Sequence, residues 1–156
     1  MRARGFTLIE LLVTLALMAI LASVIVPLTQ VSMQRSREQE LKLALRDIRS
    51  GLDAYKQATD EGRVYKSADA SGYPPSLQIL VSGVADNKDP AGHKIFFLRR
   101  IPRDPMNNED SLSDAATWGL RSYHSEADNP KPGDDVYDVY SLSDQTGTNG
   151  RPYRQW

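Results

Sequence analysis

The sequence predicts an α+β protein in which a long N-terminal membrane-spanning helix continues into a small domain with a short antiparallel β-sheet. Three observations predict it. Residues 6–28 form an apolar run broken by a single carboxylate, Glu10. Leu41, Leu45, Ile48, Leu52 and Tyr55 recur at alternating spacings of four and three, the period of one helix face. The last third of the chain carries short apolar or alternating segments separated by proline- and glycine-containing turns.

The first element follows from length. A helix over 6–28 extends about 35 Å at about 1.5 Å per residue, enough to cross a bilayer. A cleaved secretory signal would have a shorter core and a small-residue cleavage site, and Pro27-Leu28-Thr29-Gln30 lacks that pattern. A helix in a soluble core fits worse, because Arg2 and Arg4 directly precede the run. No charge follows the run before Arg35, so the amino terminus is expected in the cytoplasm and the bulk of the chain outside.

Glu10 needs a reason to be there. An acid inside an apolar helix costs on the order of 2.5–3.5 kcal/mol on insertion scales. Either it snorkels to the headgroups, being close to the start of the run, or a partner repays the cost. Were the chain cut after Gly5, Phe6 would carry a free ammonium, and that group in a neighbouring copy could pair with Glu10 and set a staggered packing.

Pro27 has no amide hydrogen and crowds the carbonyl of Ser23, so the helix is expected to kink or loosen there, with the Ser23 hydroxyl or neighbouring helices compensating. From 29 to 61 the helix resumes as an amphipathic element. Leu41 to Tyr55 mark its packed face, and Glu38, Lys42, Arg46, Arg49 and Lys56 are expected to be solvated or to face another subunit. Gly51 costs about 1 kcal/mol in a helix interior relative to alanine, which points to close approach of a strand or loop. Gly62 is a reasonable stop.

Residues 62–93 read as loop with one short helical turn in Ser76-Leu77-Gln78-Ile79-Leu80-Val81, introduced by Pro74 and Pro75. The region 94–156 reads as mainly β. Lys94 to Leu98 is a strand or a turn of buried helix. Pro102 and Pro105 force extended geometry on the residues before them, making a rigid crossing segment that lays Leu98 and Ile101 on the core. Residues 118–123 and 136–142 read as strands, the second with Val136, Asp138, Tyr140 and Leu142 on one side and Tyr137, Val139 and Ser141 on the other. Tyr153 and Trp156 either add a last short strand or plug the sheet.

Composition narrows the chemistry. With 156 residues there is room outside the apolar run for one modest domain. A net charge of -1 without a broad basic patch offers nothing to nucleic acid. There is no cysteine, and the two histidines, His93 and His124, have neither H-x-x-x-H spacing nor a carboxylate cluster beside them. G-x-S-x-G and phosphate-cradling glycine loops are absent as well, so no catalytic residues are assigned and the chain is not expected to be an enzyme.

Gly5, then Phe6-Thr7-Leu8-Ile9-Glu10, then an apolar helix with Pro27, resembles the class III leader and N-terminal helix of type IV pilins and type II secretion pseudopilins. Three downstream segments are similar to those of the major-type pseudopilin: Gly72-Tyr73-Pro74, Leu98 to Pro105 with its I-P-x-D-P pattern, and Asp138-Val139-Tyr140-Ser141-Leu142. The lack of cysteine leans the same way, since many type IV pilins close a C-terminal loop with a disulfide. The resemblance implies a pilin-like fold, cleavage between Gly5 and Phe6 by a prepilin peptidase, and N-methylation of Phe6. It further implies assembly into a helical fibre through Phe6, Glu10 and Pro27, with other pseudopilins and the inner-membrane secretion platform as partners and a single-pass inner-membrane location with a periplasmic domain.

The same resemblance implies calcium in the loop after D-x-Y-S-L, where Asp144 would be a ligand. The second acid of the family loop is missing, because positions 147–151 read GTNGR, so a solvated loop without cofactor stands beside calcium. Met106 also replaces the family's tryptophan after the Asp-Pro pair. Two other functions stay open: a type IV pilin for adhesion, motility or DNA uptake, and a bitopic protein with a periplasmic binding domain that never polymerises.

Overall fold

Helical period governs the longest element. In the computed structural model, which describes residues 6–156 apart from the side chains of 24–28, α1 runs from Leu8–Asp60. The leader, with Gly5, and the Pro27 ring lie outside the described residues. The helical backbone carries on through Pro27 and past 28. The Ser23 hydroxyl donates to the Ile20 carbonyl at 2.7 Å, not to the carbonyl that Pro27 leaves without its amide. The chain forms two compact units, one up to Ser36 and the other Arg37–Trp156.

In the first unit, the described apolar side chains of α1 from Leu8 to Leu21 are exposed. Among the described residues no helix is long and apolar enough to cross a membrane. The side chains of 24–28 belong to the run read as a span and fall outside that description.

In the second unit the periodic face of α1 is buried as its spacing requires. Leu41, Leu45, Ile48, Leu52 and Tyr55 line the core together with Ala44 and Ala58, each large apolar side chain contributing about 1.5–3 kcal/mol on burial. Gly51 lets a loop approach: a Cβ there would stand 2.8 Å from Leu98 Cγ. The helix ends before Gly62, where the amides of Gly62 and Arg63 donate back to the carbonyls of Thr59 and Ala58, both at 2.9 Å.

The short helix α2, Leu77–Ser82, buries Leu77 and Leu80, and the Leu80 carbonyl accepts the amides of Phe97 and Leu98 at 3.0 and 2.9 Å. The segment expected as loop after it contains a strand. β1 (Val84–Ala85) pairs antiparallel with β2 (Lys94–Ile95), Val84 opposite Ile95. Long-range contacts hold this hairpin, with Arg63 paired to Asp86 at 2.6 Å and the Asn87 amide donating to the Arg63 carbonyl at 2.8 Å.

A 3-10 turn, Asp114–Thr117, leads into β3 (Trp118–Arg121), which pairs antiparallel with β4 (Asp138–Ser141), Trp118 opposite Ser141. Both strands are shorter than their patterns predict. The Ser122 amide leaves the ladder for the Lys131 carbonyl at 3.0 Å, and the Val136 amide goes to the Pro74 carbonyl at 2.8 Å. Val136 is therefore buried outside the pleat, while Val139 and Ser141, on the other side of the strand, face the core. The last residues form a 3-10 turn, Tyr153–Gln155, with Tyr153 filling the core and no added strand.

Candidate functional site

Thr7 begins α1. Its carbonyl accepts the Leu11 amide at 3.2 Å, and its hydroxyl accepts the Glu10 amide at 3.3 Å. The Glu10 carboxylate reaches back to the Thr7 amide at 3.4 Å. These reciprocal bonds form a capping box, which satisfies two amides that the first turn of any helix leaves without partners. Thr7-Leu8-Ile9-Glu10 spells T-x-x-E, the signal that reveals it. A carboxylate in the first turn is also favoured by the helix dipole. Glu10 thus has a local role in its own chain beside the role expected between copies.

Beyond the cap, apolar side chains stand out on every side. Phe6 is 79% exposed, and Leu8, Ile9, Leu12, Leu15, Ile20 and Leu21 are each more than half exposed. A helix that is apolar all round is stable only when something apolar surrounds it.

In the second unit the segments that carry the family resemblance are tied to one another and to their neighbours by hydrogen bonds. Asp104, from I-P-R-D-P, accepts the Ser141 hydroxyl at 2.6 Å and the Met106 amide at 2.8 Å. Asp138 accepts Arg49 Nε at 2.8 Å and Arg121 Nη2 at 3.3 Å. Pro74 meets Val136 as described above. Trp118 Nε1 donates to the Pro102 carbonyl at 2.7 Å. No buried polar side-chain atom among the described residues lacks a partner.

Three side chains of α1 expected to be solvated or to face another subunit are engaged by residues of the second unit. Glu38 is only 5% exposed; its carboxylate accepts the Thr148 amide and hydroxyl and the Tyr153 hydroxyl. Arg49 donates to Asp138 and to the Trp156 carbonyl, the latter at 2.9 Å. Lys42, one turn beyond Glu38, lies 4.7 Å from the centre of the Trp156 ring. These contacts depend on partners far away in the sequence. Helical spacing alone does not show it.

Asp144 is exposed in the loop after β4, and among the described residues no group of three acids, histidines or cysteines is gathered to hold a metal. His93 meets one carboxylate, Asp89, on an exposed loop, and His124 packs edge-on to Tyr123. A cleft of about 850 Å³ is lined by Tyr55, Lys66, Tyr73, His124 and Asp135 among others. Asp135 there is committed to the Ser122 hydroxyl and the Tyr123 amide.

A capped helix whose first turns are apolar on every side and whose later turns pack on a small α+β unit is consistent with a pilin-like fold. Residues 1–26 match the prokaryotic N-terminal methylation motif. The chain is 31% identical to the type II secretion system core protein G of Klebsiella pneumoniae over 71% of this chain and 74% of that protein. It is 30% identical to the Pseudomonas aeruginosa protein of the same description, over 67% and 68%. The Dickeya chrysanthemi protein is 27% identical over 96% and 95%. No solved structure gave a significant match. The chain belongs to the type II secretion system core protein G family, the major pseudopilins.

Proposed function

We propose that this chain is a structural, non-catalytic subunit that polymerises through its N-terminal helix into a pseudopilus driving protein export. The apolar, unpartnered surface of α1 beside a capped Glu10 carries this reading, and kinship with the core protein G family supports it. Lipid covers that surface before assembly, in a single pass of the inner membrane with the amino terminus in the cytoplasm and the α+β unit in the periplasm. Neighbouring copies cover it afterwards. The partners are other pseudopilins, the inner-membrane platform and a prepilin peptidase that cuts between Gly5 and Phe6.

Removal of the leader gives Phe6 a new ammonium, which is then methylated. The capping box holds the Glu10 carboxylate at the head of α1, so this acid is already oriented when the Phe6 amine of another copy arrives. Pro27 lies within the same helix and belongs to the assembly surface.

Mass spectrometry of the native protein tests the proposal. The expected product lacks MRARG and carries one added methyl group at Phe6. A chain that keeps Met1 and stays monomeric in the membrane would instead be a bitopic protein.

A further inference from the structure

The loop at 142–152 is where the family resemblance implies calcium, and its donor set does not fit that ion. Calcium takes six to eight oxygen ligands, several of them carboxylates. This loop has one acid, Asp144, which is exposed, and its far side carries the cation Arg151. The Asn149 side-chain oxygen is occupied by the Arg151 amide at 3.0 Å. A cation site gathers acceptors, yet the groups that converge at the inner side of this loop are donors.

Those donors meet Glu38. Its Oε1 accepts the Thr148 amide at 2.7 Å and the Tyr153 hydroxyl at 3.0 Å, and its Oε2 accepts the Thr148 hydroxyl at 2.6 Å. The loop then closes on itself. The Gly147 amide donates to the Arg151 carbonyl at 2.9 Å, the Tyr153 amide donates to the Gln145 carbonyl at 3.1 Å, and Thr146 bridges to Pro152. Gly147 lies so close to the Trp156 ring that a Cβ would stand 2.5 Å from Cζ2.

We propose that Glu38 is the anchor of this loop, a carboxylate supplied by α1 in place of a bound cation, and that the C-terminal segment of this protein is consequently independent of calcium. Burial disfavours the Glu38 anion, but its hydrogen bonds to Thr148 and Tyr153 and the charge of Lys42 more than compensate and hold its carboxyl below the ordinary value. The anchor is therefore charged at neutral pH.

The test uses the full chain in detergent, melted with millimolar calcium chloride or with a chelator, together with hydrogen exchange at the Thr148 amide. Wild type is expected to melt at the same temperature in both solutions. Glu38→Gln removes the charge that strengthens the bonds from Thr148 and Tyr153 and is expected to lower Tm by several degrees, to weaken the protection of the Thr148 amide, and to gain nothing from calcium. Thr148→Val, which keeps the amide bond and loses the hydroxyl, is expected to show a smaller fall and serves if the first variant does not fold. A wild-type Tm that rises by several degrees with calcium overturns the proposal, as does a folded Glu38→Gln with wild-type melting and protection.

Discussion

Ser141 donates its hydroxyl hydrogen to Asp104 across 2.6 Å, and both residues are completely buried. The bond ties β4 to the crossing segment between its two prolines. The Asp104 amide in turn donates to the Thr117 hydroxyl at 3.1 Å, and that hydroxyl donates to the Asp114 carbonyl at 2.6 Å. One residue thus connects β4, through its carboxylate, and the 3-10 turn before β3, through its amide, to the crossing segment.

Ser141→Ala leaves the Asp104 carboxylate short of a donor where water does not replace it. The expected loss is about 1–3 kcal/mol, the cost of a buried polar group without its bond. Urea unfolding of the detergent-solubilised chain measures it, and a change within about 0.5 kcal/mol, typical of surface sites, would remove Asp104 from this role.

Glu10 has two tasks that substitution separates. Glutamine serves as well as glutamate at the third position of a capping box, whereas alanine does not. Glu10→Gln and Glu10→Ala are both expected to insert into the membrane and both to assemble poorly, because each lacks the charge. Fibre yield by electron microscopy and crosslinking reads this out. Wild-type yield from the glutamine variant would assign Glu10 to capping alone.

Gly51→Ala sets two effects against each other. Alanine gains up to about 1 kcal/mol of helix propensity, while its methyl group meets the Leu98 side chain at 2.8 Å and overpacking costs about 1–3 kcal/mol. A net loss is expected. Pairing the change with Leu98→Ala should cost less than the sum of the single changes, a coupling that a double-mutant cycle measures.

Acid sensitivity follows from Glu38. Its carboxyl is held below its ordinary value of 4.5, so its contribution to stability is complete above that value. The contribution is lost as pH falls through the lower value of the folded state. Asp135 behaves alike: burial opposes its charge, and bonds from Ser71, Tyr123 and Ser122 outweigh that opposition, with a smaller push from His124. Unfolding of wild type between neutral pH and pH values below 4.5 is expected to show a fall in stability that Glu38→Gln shows less steeply. Equal slopes in the two proteins would remove Glu38 from the acid limb.

How much of this was legible depends on how local each feature is. The buried face from Leu41 to Tyr55, the stop at Gly62 and the glycine at 51 that admits a neighbour all follow from helical spacing and backbone freedom, which a short window contains. The Thr7/Glu10 cap is local too, and its T-x-x-E spacing is passed over when Glu10 is considered only as a charge in an apolar run. β1 was hidden because two residues make no pattern and its stability comes from Arg63 and Asp86. The ends of β3 and β4 are set by Lys131 and Pro74, which alternation within each strand does not reveal. Glu38 looked solvated for the same reason: helix periodicity placed it off the apolar face, and its partners are far away in sequence.

Thr148 and Tyr153 lie 110 and 115 residues beyond Glu38. During synthesis the carboxylate on α1 has to wait in water until the chain has been made through Tyr153. Contacts of such wide separation slow folding. The α+β unit is therefore complete only once Thr148 and Tyr153 have been made and have folded back onto the helix.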